Sequence, residues 1–282
     1  MGLKERIELY CNQDIESIDR KAAIQTFNEL KFFLNVGDIR TAVQSSAAGN
    51  HGGWIVNDWV KNGLILGFRL GELADFSINE HFKYFDKTTH PLKKLTLDNQ
   101  VRIVPGGSSI RDGAYIAPGV IIMPPAYINV GAYVDRETMI DSHALVGSCA
   151  QIGKRVHLSA AAQIGGVLEP IGTMPVIIED DVFIGGNTGI FEGTIVKKRS
   201  VIAAGVILTG STPVYDLVNE KIYRQTKEMP LIIPEGAVVV PGTRAISAPY
   251  AQKYNISVYT PIIIKYRDKD TDAATILEES LR

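Results

Sequence analysis

An aliphatic residue recurs at every sixth position through the middle of this chain. It does so ten times from Ile110 to Ile164 and, after a break, seven times from Ile178 to Val214. The residue four places further on is small or β-branched in nearly every hexad, with Leu168 as the exception. An α-helix places apolar residues three and four apart and a half-buried strand places them two apart, so a period of six indicates neither.

This period predicts a coil of short strands. In a hexapeptide β-helix the large aliphatic residue lies inside a strand, the small one lies inside the next corner, and three hexads close one triangular turn. Turns stack at the strand spacing of ~4.8 Å, so about five turns give a prism of about 25 Å. We therefore predict a mainly β chain folded as a left-handed parallel β-helix. The left hand rests on resemblance to other hexapeptide prisms, because crossovers between parallel strands are otherwise right-handed.

The period breaks after Ile164 and resumes fourteen positions later, at Ile178. The break contains Pro170, Gly172 and Pro175, which are residues that favour turns and loops. It predicts a loop inserted into the coil at residues 169–177.

The segments on either side of the repeat have other patterns. Charged and apolar residues alternate at helical spacing near the N-terminus, and residues 71–95 indicate turns and short helices, with His81 and His90 at the surface. The C-terminal end predicts a strand and then a short helix at Thr271–Leu281. We predict a mostly helical N-terminal domain at residues 1–98, a β-helix domain at 99–245 and a C-terminal strand and helix extension at 246–282.

The charge balance argues against nucleic-acid and membrane partners. A net charge of −2 with 21% charged residues provides no basic surface for nucleic acid or anionic lipid. The two cysteines, Cys11 and Cys149, lie far apart, which suits a reducing compartment. No apolar signal-peptide core occurs near the N-terminus, and proline and glycine interrupt the uncharged run at residues 114–133. We expect a cytoplasmic protein whose partners are small molecules and other copies of itself.

Groups that could carry chemistry must stand on outward positions of the prism, because the inward ones are apolar. Asp141 and His143 lie two residues apart in one hexad, although a single corner aspartate is more often merely solvated. Small residues dominate segments 147–166 and 185–205. They leave backbone amides bare where an extended ligand could lie, but tight corners need the same glycines.

Metal and covalent catalysis fit this sequence poorly. A catalytic zinc site needs about three converging imidazoles, and His143 and His157 are the two histidines inside the repeat, so we expect no metal. Ser148 and Cys149 have no flanking His–Asp arrangement, which disfavours a covalent acyl-enzyme.

Distinctive runs of sequence lie both inside and outside the repeat. They are residues 53–61, 84–87, 101–105, 129–135, 146–153, 164–170 and 178–185. Together they closely resemble the tetrahydrodipicolinate N-succinyltransferase family, which belongs to lysine and diaminopimelate biosynthesis. The resemblance covers most of the chain.

The resemblance implies a homotrimer with acyl-CoA in a groove between neighbouring prisms. It places Arg102, Asp141 and Ser148 at the amino dicarboxylate substrate, where a guanidinium suits a carboxylate and Asp141 can orient the attacking amine and accept its proton. It places the acyl-CoA donor along backbone amides, with Lys265 near a phosphate. The implied cofactor-binding residues are Gly166, Gly185, Ala204, Gly205 and Lys265.

Three departures from the family cluster near the implied site. Gly189 replaces a second acidic residue, His143 replaces a Trp, and Ala160–Gln163 replaces a glycine-rich run. His143 either takes over as a base or merely fills the volume of the missing Trp. The chain is either a divergent succinyltransferase using succinyl-CoA or an N-acetyltransferase using acetyl-CoA on the same or a related amino dicarboxylate, as in a tabtoxin-like pathway. An amino-sugar acyltransferase and a non-catalytic trimeric scaffold stay open as further alternatives.

Overall fold

Each hexad of the repeat forms a two-residue strand in the computed structural model, which describes residues 1–45 and 51–268. The strands make three parallel sheets that enclose one apolar core, as the period of six predicts. We call these sheets faces 1, 2 and 3 in the order in which the chain visits them. The predicted mainly β, hexapeptide β-helix architecture is confirmed.

The strands of the three faces follow one another in rotation along the chain. Face 1 contains β5 (Arg102–Ile103), β8 (Ile121–Ile122), β11 (Met139–Ile140), β14 (His157–Leu158), β17 (Phe183–Ile184), β20 (Val201–Ile202) and the first part of β25 (Ala237–Ala245). Face 2 contains β6 (Ser109–Ile110), β9 (Tyr127–Ile128), β12 (Leu145–Val146), β15 (Gln163–Ile164), β18 (Gly189–Ile190) and β21 (Ile207–Leu208). Face 3 contains β7 (Tyr115–Ile116), β10 (Tyr133–Val134), β13 (Gln151–Ile152), β16 (Ile177–Ile178), β19 (Ile195–Val196) and β24 (Ile232–Ile233).

The second residue of each prism strand points inward and the first points outward. The periodic aliphatic residues are all buried, and so are most of the small corner residues. Where a corner residue is polar, its hydroxyl is satisfied by the backbone: Thr138 Oγ1 donates to the Gly153 carbonyl at 2.8 Å. The core therefore holds no unpaired hydroxyl at this corner, which would otherwise be costly to bury.

Residues eighteen apart lie in register on one face, as in the pair Tyr133↔Gln151. The step grows to 26 residues at Gln151↔Ile177, so eight extra residues leave the coil between β15 and β16. A second excursion precedes β24 and carries β22 (Val214–Asp216) and β23 (Lys221–Tyr223). Face 1 continues beyond the prism because β25 also pairs with the antiparallel β26 (Ser257–Tyr266).

Three helices precede the prism and pack on each other. They are α1 (Leu3–Cys11), α2 (Arg20–Val36) and α3 (Asp58–Leu70), joined by the short hairpin of β1 (Ala42–Gln44) and β2 (Trp54–Val56). Helices α2 and α3 approach closely at Gly67, where a Cβ atom would lie 2.3 Å from the Phe27 ring.

This helical unit covers face 3 and part of the edge between faces 2 and 3. On face 3, Trp54 packs against Ile177 and Ile195. On the edge, Val130 and Cys149 belong to the same apolar cluster as the helices. Among the described residues, the helical unit leaves faces 1 and 2 and the edge between them uncovered.

Residues 71–95 form a β-hairpin where we predicted turns and short helices. It consists of β3 (Leu73–Asp75) and β4 (Phe85–Lys87), paired antiparallel. The turn is held by local bonds that a helix would not allow, because Asn79 Oδ1 accepts from the backbone N–H groups of His81 and Phe82.

The prediction that His90 lies at the surface is wrong, whereas His81 is exposed as predicted. The His90 side chain is 2% exposed and stacks on Phe68 with ring centroids 3.8 Å apart. Burial, reinforced by the nearby Arg111 guanidinium, lowers the pKa of His90 to about 3. This histidine is a neutral core residue between the helices and the prism.

The C-terminal part contains a short helix, α4 (Pro249–Lys253), before β26. The helix predicted at Thr271–Leu281 lies outside the described residues. None of the helices in the described segments is long and apolar enough to cross a bilayer.

Candidate active site

Five of the sequence-predicted site residues lie along one edge of the prism, between faces 1 and 2. We call this edge 1/2; it consists of the corner residues that follow the strands of face 1. The structure brings Asp141, His143, Gly185, Ala204 and Gly205 together on it. Successive corners are ~4.8 Å apart, so Gly185 lies about 10 Å and Ala204 about 14 Å along the edge from Asp141.

Backbone hydrogen bonds fix the successive corners of edge 1/2 to one another. The N–H of Ala161 donates to Ser142 O at 2.8 Å, that of Asn187 to Ala160 O at 3.0 Å, and that of Gly205 to Gly186 O at 3.0 Å. The corners of edge 1/2 that follow His143 in the chain have small side chains, so the main chain forms the surface of this edge. The edge is therefore rigid and narrow.

Some corner amides of edge 1/2 are open. In residues 1–45 and 51–268, the N–H groups of Gly186 and Ala204 have no hydrogen-bond acceptor. Gly185 must lack a side chain, because a Cβ there would lie 2.4 Å from the Ala204 nitrogen. A ligand with carbonyl oxygens, such as the pantetheine arm of CoA, would find donors along this line.

Asp141 follows β11 and is half-buried. Its Oδ1 accepts from the Ser142 N–H at 2.7 Å, which holds the carboxylate against its own corner. Within the described segments no cation pairs with it. The second carboxylate oxygen is thus available to a ligand amine.

His143 is exposed and its backbone adopts a left-handed conformation, with φ of 62°. Its N–H donates to Pro125 O at 2.6 Å and its carbonyl accepts from Gln163 Nε2 at 3.1 Å. His143 lines a pocket of about 390 Å³ that extends across the outward side of face 2. This pocket is lined by Gly107, Ser109, Pro125, Ala126, Tyr127, His143, Ala144, Leu145 and Gln163.

Arg102 stands on β5, two strands below β11 on face 1. The side chain is exposed and makes no ion pair with any described residue. Measured along the prism axis, Arg102 and Asp141 are about 10 Å apart, which is two strand spacings. A small dicarboxylate could approach both groups from the same open side.

Ser148 and Gly166 lie on the other border of face 2. They occupy adjacent corners between faces 2 and 3, where Val167 N–H donates to Ser148 O at 3.1 Å. Within one chain the structure does not bring them together with Asp141, since the width of face 2 separates the two edges.

Lys265 lies on β26, opposite Val238 of β25 and beyond the end of face 1. Its ammonium forms a partly exposed ion pair with Asp268, at 3.2 Å. Such a pair is weak, so the ammonium can exchange it for a phosphate.

A different kind of pocket, of about 600 Å³, lies on the edge between faces 3 and 1. We call this edge 3/1. Asp135 and Arg136 line the pocket together with Tyr115, Tyr133 and Lys154. Asp135 therefore does not join Asp141, although one hexad separates them in sequence.

The described residues contain no group of three or more His, Cys, Asp or Glu side chains that could hold a metal ion. His143 lies on edge 1/2, whereas His157 is an outward residue of face 1 and contacts Phe183, with ring centroids 5.0 Å apart.

Tyr127 and Gln163 belong to the pocket on face 2 but were not predicted as site residues. Tyr127 Oη accepts from Arg111 Nε at 3.0 Å, and Arg111 also pairs with Asp86 of the hairpin. A simple signal exists: Tyr127, Leu145 and Gln163 are eighteen residues apart, the length of one turn. Reading the chain at that step aligns the outward residues of one face.

Two family models match the chain. A model of the tetrahydrodipicolinate N-succinyltransferase N-terminal region matches residues 3–70. A model described as the hexapeptide repeat of succinyl-transferase matches residues 175–210. The two matches fall on the helical unit and on the prism.

Curated relatives match nearly the whole chain and share one name, 2,3,4,5-tetrahydropyridine-2,6-dicarboxylate N-succinyltransferase. The protein from Coxiella burnetii is 44% identical, over 98% of this chain and 96% of its own length. The one from Ehrlichia ruminantium is 40% identical, over 99% and 95%. The one from Psychrobacter cryohalolentis is 44% identical, over 90% and 88%.

Proposed function

The chain belongs to the tetrahydrodipicolinate N-succinyltransferase family, and from this premise we propose that it transfers a succinyl group from succinyl-CoA to ring-opened tetrahydrodipicolinate, in lysine and diaminopimelate biosynthesis. The observation that carries this proposal is the make-up of edge 1/2. An unpaired carboxylate, Asp141, stands at one end of a line of small corners with open amides. Both features suit a transferase, since the carboxylate can take the proton of an amine and open amides can bind an acyl-CoA.

The donor lies along edge 1/2 in this proposal. The open N–H groups of Gly186 and Ala204 bind carbonyl oxygens of the pantetheine, Gly185 and Gly205 leave room for its chain, and Lys265 meets a phosphate. One family-derived position, Gly166, lies on the opposite border of face 2, so we assign its contact to a donor bound by a neighbouring subunit. Ser148 contacts the acceptor from the same border.

The acceptor binds between Arg102 and Asp141. The unpaired Arg102 guanidinium takes a carboxylate, for which a bidentate pair is the strong geometry. The amine lone pair attacks the thioester carbonyl and forms the new C–N bond. The proton leaves the nitrogen for Asp141 or for His143, and the C–S bond breaks to release the CoA thiolate, which takes up a proton from that base or from water.

We infer that the active unit is a homotrimer. The helices cover face 3, whereas face 1 presents outward the half-buried apolar residues Ile121, Met139, Phe183 and Val201, with His157 between Met139 and Phe183. A second prism packed on these residues would bury them and would bring the Ser148 border of one copy towards the Asp141 edge of another. A stable, active monomer in light scattering would contradict this assembly.

Acetyl transfer to the same acceptor is the second candidate, favoured by one observation. No lysine or arginine stands on the corners of edge 1/2 from Asp141 to Gly205. The terminal carboxylate of a succinyl group therefore needs a cation from Arg102 or from a neighbouring copy, and an acetyl group needs none.

The test is release of CoA thiol with succinyl-CoA and acetyl-CoA in parallel, each with and without tetrahydrodipicolinate. We expect acceptor-dependent release with succinyl-CoA in excess over acetyl-CoA. The reverse preference would establish an acetyltransferase. Absence of acceptor-dependent release with both donors would contradict the transferase proposal and favour a scaffold.

A further inference from the structure

Gln163 is the polar side chain in the centre of face 2. It stands in register between Leu145 and Gly189 on the outward side and is half-buried. The same pocket that contains His143 contains Gln163.

The amide of Gln163 is oriented by its surroundings. Its Nε2 donates to two carbonyl oxygens, that of His143 at 3.1 Å and that of Ala161 at 3.2 Å. Carbonyl oxygens only accept, so the nitrogen of the amide must face them. The His143 corner is therefore held from both sides, by Pro125 through its N–H and by Gln163 through its carbonyl.

The Oε1 atom of Gln163 remains unused. Within residues 1–45 and 51–268 no donor reaches it, and it is not among the enclosed atoms that lack a partner. The oxygen is consequently accessible to solvent, and Gln163 lines the same pocket as His143. This oxygen is a hydrogen-bond acceptor that carries no charge.

The neighbouring position on face 2 cannot supply such a group. Gly189 has no side chain, and a Cβ there would lie 2.4 Å from Phe191 Cε2 and 3.0 Å from Ile207 Cδ1. The Phe191 ring thus occupies the space into which a longer side chain at position 189 would extend. The hydrogen-bond acceptor on this part of face 2 is therefore the side chain of Gln163, one strand below Gly189.

We propose that Gln163 positions the amine of the acceptor and the His143 corner beside it. Its Nε2 holds the His143 corner in place, and its Oε1 accepts a hydrogen bond from the amino nitrogen of the acceptor. This inference rests on the proposed acyl transfer. A neutral oxygen orients the amine lone pair without taking the proton, which leaves proton transfer to Asp141 or His143.

Two substitutions separate the role of the Nε2 donor of Gln163 from that of its Oε1 acceptor. Gln163→Met removes the donor and the acceptor and keeps the length of the side chain. Gln163→Glu is isosteric and keeps an oxygen, but an ionised carboxylate cannot donate to the carbonyls of His143 and Ala161. The matched control is Gln252→Met on α4, where the side chain is exposed and distant from the pocket.

We expect both variants at position 163 to lower kcat/KM for the acceptor by about tenfold or more, the effect of losing about 1.4 kcal/mol of hydrogen bonding. The KM for acyl-CoA should stay unchanged, the melting temperature should fall by only a few degrees because two half-buried hydrogen bonds are lost, and Gln252→Met should behave as the wild type. A purely structural role would lower the melting temperature as well, but it would not single out the acceptor.

Each outcome decides the assignment. Wild-type kinetics in Gln163→Met would overturn it, and wild-type kinetics in Gln163→Glu would overturn the positioning of His143. If Gln163→Met loses stability, the isosteric Glu variant still gives the answer. Inactivity of the wild-type protein with every donor is a separate result, which contradicts the proposed transferase itself.

Discussion

Edges 1/2 and 3/1 of the prism have the same corner geometry but differ in the side chains on their outward surfaces. On edge 3/1, charged side chains bind from one corner to the next, as in the pairs Arg155–Asp181 at 2.6 Å and Lys197–Glu179 at 2.7 Å. Edge 1/2 has no such pair among the described residues. The coil requires the same inward residues at both edges, so the difference lies in the outward residues alone.

The two edges also differ in what becomes of their backbone amides. On edge 3/1 carboxylates of neighbouring corners cap them: Lys154 N–H donates to Asp180 Oδ1 at 2.9 Å and Lys198 N–H to Glu179 Oε2 at 3.1 Å. On edge 1/2 the N–H groups of Gly186 and Ala204 have no acceptor in the described segments. Carboxylates thus cap two corner amides of edge 3/1, where the N–H of Asp180 has no acceptor among the described residues, whereas no side chain caps the corners of edge 1/2 after His143.

The largest expected effect compares one aspartate from each edge. Asp141→Asn should lower acceptor kcat/KM by about 10²–10⁴-fold, because it removes a proton acceptor from the reacting amine. Asp135→Asn should leave it unchanged. The pair is well matched, since Asp141 Oδ1 accepts from Ser142 N–H at 2.7 Å and Asp135 Oδ1 from Arg136 N–H at 2.8 Å. Equal losses in steady-state assays of the two variants would remove the distinction between the edges.

The His143→Phe variant tests whether His143 is the base on edge 1/2. A base makes kcat/KM fall below its pKa, so the variant should lose that acid limb and about 10²–10⁴ in rate if His143 takes the proton. If the ring only fills volume, the pH–rate profile of the variant will match that of the wild type. That result would leave Asp141 as the sole protein base.

Arg102→Ala should raise the acceptor KM by about 30- to 150-fold, which corresponds to about 2–3 kcal/mol for a charge-assisted contact in a desolvated site. Arg136→Ala is the control, because Arg136 is an exposed arginine on edge 3/1. An unchanged acceptor KM in initial-rate measurements on Arg102→Ala would place this residue outside the site.

Lys265→Ala should weaken CoA binding by only about two- to fivefold. The ammonium is partly exposed and shared with Asp268, so its contact with a phosphate is screened by water. Calorimetric titration with CoA at low ionic strength measures the effect. Identical affinity in the variant and the wild type would rule out a phosphate contact.

The smallest effect concerns stability on edge 3/1. Asp181→Asn breaks the half-exposed pair with Arg155 and should cost about 0.5 kcal/mol of unfolding free energy without changing activity. Urea unfolding measures the first quantity and the thiol-release assay the second. A loss of activity here would show that edge 3/1 takes part in the reaction.

The interior of the prism was predictable residue by residue, because burial imposes the period of six on the sequence. The positions of the candidate site residues were predictable in part: Asp141, His143, Gly185 and Ala204 share an edge, whereas their roles stay predictions. Asp135 lies elsewhere, because one hexad moves the chain to the next edge and only a step of eighteen returns it to the same one.

Contacts between the helical unit and the prism were not predictable. The burial of His90 depends on Phe68 from α3 and on Phe27 from α2, which come together only in the folded chain. Gln163 was visible as part of an altered run, but its bond to His143 depends on how one corner sits above another. Short-range periodicity carries no information about either contact.

Hydrogen exchange with and without CoA tests most directly the claim that edge 1/2 is the ligand edge. Amides without a protein acceptor exchange quickly and slow when a ligand accepts from them. We predict slower exchange at residues 185–187 and 203–205 on adding CoA, with no change at residues 135–137, 153–155 and 179–181. Protection confined to the second group of residues, or no protection on either edge at saturating CoA, would contradict the account.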